Sequence, residues 1–74
     1  MEWDKMTIKE LYKMSGMTRT KVIEVFELNP NTWNKVLSGE RHLPPEKEKS
    51  LRLFFRTIIE MSTIYNFYFK KERN

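Results

Sequence analysis

Residues 18–39, TRTKVIEVFELNPNTWNKVLSG, decide how this chain folds. Two short apolar-periodic segments flank a tight break at Glu27-Leu28-Asn29. In the second, Trp33, Val36 and Leu37 fall at i, i+3 and i+4 and form an inward face. Asn31, Asn34, Lys35 and Ser38 fall at i, i+3, i+4 and i+7 and form the opposite one. Two amides, an ammonium and a hydroxyl on one exposed face suit hydrogen bonding to base edges and phosphates in a DNA groove. The pattern predicts two helices and a turn.

Helix signals continue outward in both directions. Upstream, Thr7 and Glu10 have capping-box spacing, Met6 is placed to staple onto Leu11, and Ser15-Gly16 stops the segment. Ile8, Leu11, Tyr12 and Met14 supply its inward face, and Trp3 is expected to pack over this first helix. Thr18 caps a second helix reaching about Glu27, with Val22, Ile23, Val25 and Phe26 as its apolar set. Asn29 caps the third, Pro30 takes its first position and Gly39 ends it. The double proline Pro44-Pro45 closes a connector in which His42 is a turn residue. Pro45 then opens a long helix to about residue 71, with Glu46 and Glu48 at its positive end.

That last segment changes character along its length. Leu51, Phe54, Phe55, Ile58, Tyr65 and Phe69 share one face at helical spacing, whereas Ile64 and Phe67 point elsewhere. A helix apolar on every side needs cover on every side, which predicts pairing with a second copy through Ile64, Phe67, Tyr68 and Phe69. The β-branched and aromatic run of residues 63–69 also reads as a strand, and the sequence leaves both conformations open. A membrane-surface patch beside Lys70, Lys71 and Arg73 is the less favoured reading of the same residues. The fold expected is all-α: one domain over residues 1–74, with a three-helix core over about 6–45 and a C-terminal dimerisation helix.

Size and composition restrict the chemistry. Seventy-four residues give a core too small to house a buried catalytic apparatus easily. Apolar residues at 39% and charged residues at 32% suit a folded domain rather than a disordered one. The absence of cysteine excludes disulfides and thiolate metal sites, and one histidine argues against any other metal site. No nucleophile, base or paired carboxylate makes a catalytic constellation, so no enzyme, cofactor or metal is expected. No run reaches membrane-spanning length and MEWDKM does not read as a signal peptide, so a cytoplasmic location is expected. A net charge of +4 is compatible with nucleic acid, and between Arg19 and Lys35 the cations stand at a helix start and on the exposed face of the second segment.

Residues 7–45 resemble the Cro and phage-repressor type of helix-turn-helix domain. The pieces that carry the resemblance are Ser15-Gly16-Met17-Thr18, the second helix from Arg19, Asn29-Pro30-Asn31-Thr32-Trp33, and the Gly39, Arg41 and Pro44 exit. The resemblance implies that the second helix crosses the DNA backbone while the third lies in the major groove. It implies base contacts from Pro30, Asn31, Asn34 and Lys35, and phosphate contacts from Arg19, Lys21, Ser38 and Arg41. Glu27 stands where the family often has glycine, which implies an altered turn. Ile23 and Trp33 are bulkier than usual and imply a different helix spacing. The function expected is sequence-specific binding of double-stranded DNA by a dimeric transcriptional regulator of bacterial, phage or mobile-element type. The alternative is a protein-interaction module that uses its apolar C-terminus to bind and inhibit another protein.

Overall fold

The computed structural model describes residues 2–67, and among them the protein is all-α. A short 3-10 turn, Trp3–Lys5, precedes α1 (Ile8–Ser15), α2 (Arg19–Phe26), α3 (Pro30–Ser38) and the long α4 (Pro45–Tyr65). Helices α1 to α3 are too short to persist alone, so their ends and their packing decide them. At α1 the capping box forms: Thr7 N–H donates to Glu10 Oε1 at 3.0 Å, and Glu10 N–H donates to Thr7 Oγ1 at 3.1 Å. Thr18 Oγ1 accepts from Lys21 N–H at 3.2 Å, and Asn29 Oδ1 accepts from Asn31 N–H at 2.8 Å. Each contact satisfies an amide that the helix itself leaves unpaired.

The break between α2 and α3 has its own geometry. Leu28 N–H bonds back to Ile23 O at 3.0 Å and Glu27 N–H to Glu24 O at 3.4 Å, the paired bonds of a Schellman closure. That closure places Glu27 in the left-handed region, at φ 51° and ψ 48°. It is the only described residue other than glycine with positive φ. The turn expected to be altered at Glu27 therefore retains a left-handed residue there, at a conformational cost of about 1–2 kcal/mol. Leu28, the next residue, is buried and anchors the turn to the core.

Ten buried residues make that core: Ile8, Leu11, Val22, Leu28, Trp33, Val36, Leu43, Leu51, Phe55 and Ile59. Trp33 lies at its centre with no exposed surface. Its ring meets Tyr12 edge-on, with centroids 5.4 Å apart, and tilts against Phe55 at 6.4 Å. A second pair, Phe26 and Phe54, crosses edge-on at 5.2 Å and joins the first through Phe55. Such pairs add about 0.5–1.5 kcal/mol each beyond their buried area. Among the described residues Trp33 Nε1 is buried without a hydrogen-bond partner, and an unpaired buried donor costs about 1–3 kcal/mol. Arg52 reaches from α4 to Met6 O at 2.7 Å, and Arg56 lies 5.4 Å above the Trp3 ring, so α4 clamps the N-terminal segment.

Several expectations are corrected. The run 63–69 is not a strand where it is described: residues 63–65 belong to α4, and Asn66 and Phe67 continue it as a π-turn. Residues 68–71, expected to complete the helix, lie outside the described residues. The inner face of α4 is Leu51, Phe55 and Ile59, spaced by four, while Ile58 and Phe54 are half-buried and Tyr65 is exposed. Of the α2 apolar set only Val22 is buried; Ile23 and Phe26 are half-buried and Val25 is 46% exposed. Met14 is exposed too, since α1 buries only one edge against α3 and α4. Trp3 packs against the core beneath Arg56 of α4 as well as beside Leu11.

Helix α4 outlasts its support. Its buried residues end at Ile59, yet the helix continues for six more. The Cα radius of gyration is 13.7 Å, against about 11 Å for a spherical chain of this length, and the longest extent is 44 Å.

Candidate nucleic-acid interface

Helix α3 is divided as its sequence predicts. Trp33 and Val36 are buried, Thr32 and Leu37 are half-buried, and Pro30, Asn31, Asn34, Lys35 and Ser38 are exposed. The exposed side contains no carboxylate, and Lys35 lies in the helix's last turn. Because the inner side is locked into the aromatic cluster, the outer side is held in one orientation.

Arg19 links α2 to that outer side. Its Nη2 donates to Asn34 Oδ1 at 3.3 Å and to Pro30 O at 3.4 Å. Three residues assigned from sequence to different roles thus form one exposed cluster. Lys21, half a turn along α2, is exposed and makes no described side-chain contact with this cluster. Asn31 is exposed, and its backbone amide serves the Asn29 cap.

A second group forms at the far end of α3. Ser38 Oγ donates to Lys35 O at 3.0 Å, so its proton is committed to its own helix. A contact from Ser38 to phosphate requires rotation of that hydroxyl. Arg41 Nη1 stands 3.5 Å from Thr32 Oγ1, at the limit of a hydrogen bond, and its amide donates to Lys35 O at 3.2 Å. The described ion pairs are Lys5–Glu2, Arg52–Glu48 and Arg56–Glu60. Among the described residues Arg19, Lys21, Lys35 and Arg41 have no carboxylate partner, so their charge is available to an external anion.

Sequence spacing gave no signal for two neighbours of this edge. Lys9, from α1, and His42, from the connector, line an open cleft of about 390 Å³ together with Leu37, Ser38 and Arg41. Only the return of α1 against α3 brings Lys9 there, about thirty residues away in the chain. At the other end of the molecule, Ile64 and Phe67 are exposed on or just past α4; Tyr68 and Phe69 lie outside the described residues.

Comparison with known proteins finds no matching family model, no matching curated protein and no matching solved structure. No helix among the described residues is long and apolar enough to cross a membrane. The same residues contain no group of three or more acidic or histidine side chains that could hold a metal ion.

Proposed function

We propose that this protein binds double-stranded DNA sequence-specifically through the exposed face of α3, as a dimeric transcriptional regulator of bacterial, phage or mobile-element type. The observation that carries the reading is the arrangement at α3. Its buried face fixes it to the core, its outer face carries amides and cations without a carboxylate, and Arg19 braces that face from α2. Pro30, Asn31, Asn34 and Lys35 would meet base edges, while Arg19, Lys21, Ser38 and Arg41 would hold phosphates on either side.

Dimerisation is supported by the overhanging part of α4. Beyond Ile59, Met61 and Ile64 share one helical stripe and are 64% and 54% exposed, and Phe67 just past the helix is 61% exposed. Their apolar area is of the kind that marks an interaction surface. Two copies joined there would present two α3 helices, and recognition helices about one DNA turn apart, roughly 34 Å, demand a pseudo-palindromic operator. The same stripe favours the second reading, in which α4 binds and inhibits a different protein.

A gel shift against the DNA flanking the protein's own gene, with random DNA as competitor, tests the main reading. Asn34→Ala should cost about 1–3 kcal/mol on the preferred site and much less on random DNA. Equal weakening on both would remove Asn34 from base reading.

A further inference from the structure

An asparagine amide carries an acceptor on one limb and two donors on the other, and a half-turn of the side-chain amide exchanges them. At Asn34 the neighbour settles the matter. A guanidinium has five N–H donors and no acceptor, so the limb facing Arg19 Nη2 at 3.3 Å must be the oxygen. Pro30 O, 3.4 Å from the same nitrogen, holds the guanidinium in place from within α3. One lone pair of Oδ1 is therefore taken and the oxygen is turned toward α2, so the limb of Asn34 without a described partner is the amide nitrogen, which only donates.

This changes what the residue can read. An asparagine with both limbs open pairs with adenine, accepting from N6 and donating to N7. With its oxygen turned to Arg19, the outward nitrogen of Asn34 would meet the N6 donor of adenine or the N4 donor of cytosine with a donor of its own. Guanine presents O6 and N7, two acceptors and no donor, in the major groove. Lys35, the next residue, is also donor-only and exposed on the same face.

We propose that Arg19 acts as a positioning residue that switches Asn34 from an adenine-type to a guanine-type contact, so that the α3 face selects guanine at the base pair opposite Asn34. The inference rests on the DNA-binding reading. It goes further by naming the base and the residue that sets it.

Selection of the full-length protein on a random duplex pool, followed by sequencing, tests it with wild type, Asn34→Ala and Arg19→Met. Asn34→Ala identifies the position read by Asn34 as the one whose preference collapses. In wild type that position should favour guanine over adenine by at least about fivefold. Arg19→Met, which keeps the stem and removes every donor, should move the preference at that position toward adenine and leave other positions unchanged. A merely structural role for Arg19 would weaken all positions together, and that result overturns the proposal. So does an adenine preference in wild type, or the lack of any position that depends on Asn34. If Arg19→Met fails to fold by far-ultraviolet circular dichroism, 7-deazaguanine at the position decides the matter. It should weaken wild type several-fold and leave Asn34→Ala unaffected; equal effects on both proteins overturn the proposal. A wild-type pool without any enrichment fails the DNA-binding reading itself, and the guanine assignment with it.

Discussion

Replacing Glu27 by glycine should stabilise this protein, and the size of the gain follows from one dihedral angle. Glu27 holds φ at 51°, where a side chain costs about 1–2 kcal/mol and glycine costs nothing sterically. Glycine loses more freedom on folding, which returns about 0.5–1 kcal/mol. The net gain expected is therefore about 0.5–1 kcal/mol. Charge contributes little, because the carboxylate sits at the negative end of α2 yet only three residues before the positive end of α3. For a chain of this length 1 kcal/mol corresponds to about 6 °C in Tm. Thermal and urea unfolding of Glu27→Gly, Glu27→Ala and Glu27→Gln separate the causes. Alanine keeps the left-handed demand without the charge, and glutamine keeps the shape without the charge. Glu27→Gly should be the most stable of the three by at least several degrees. A Glu27→Gly protein no more stable than Glu27→Ala would refute the strain argument.

Four other outcomes are expected. Trp33→Phe should change stability by less than about 1.5 kcal/mol, since loss of the orphaned indole N–H offsets a small cavity, whereas Trp33→Ala should cost about 3–5 kcal/mol in urea titrations. Hydrogen bonds from the Thr7 amide, and secondarily from its hydroxyl, hold the Glu10 carboxyl below its ordinary value of 4.5. The stabilisation they give is full above that value and is lost as pH falls through the lower folded value, so Glu10→Gln should flatten the acid limb of a stability–pH curve. Arg19→Ala should reduce the salt dependence of binding to random DNA by about one unit of log–log slope, measured by fluorescence anisotropy. Truncation after Met61 should leave a folded monomer by sedimentation, because it removes Ile64 and Phe67 yet spares the buried positions of α4, which end at Ile59; a truncated chain that still dimerises would move the interface elsewhere.

The helices were legible from their ends. Thr7 with Glu10, Thr18, Asn29 with Pro30, and Gly39 are local signals acting over three or four residues, and each cap or stop forms where its spacing places it. The division of α3 into two faces was equally readable, since period alone assigns Trp33 inward and Asn34 outward. Burial was less so. Leu28 and Leu43 belong to turns by sequence, yet both are core residues, because each connection runs over the surface with exposed neighbours and turns one leucine side chain inward. The error between Ile58 and Ile59 is one of helical phase. Adjacent residues differ by 100°, and only the position of α1 selects which of the two is covered. The Arg19–Asn34 bond could not be read at all. It joins residues fifteen apart through the angle between two helices, and no pattern within either helix encodes that angle.

Burial of Trp33 also gives the protein its own optical gauge. The indole sits fully buried among Tyr12 and Phe55, an apolar environment that shifts emission to shorter wavelength. Its Cα is adjacent to that of Asn34, so the fluorophore and the outward amide ride on the same turn of backbone. In a Trp3→Phe protein, a red shift would report loosening of that turn, and an unchanged spectrum on docking would show α3 engaging its partner as a rigid body.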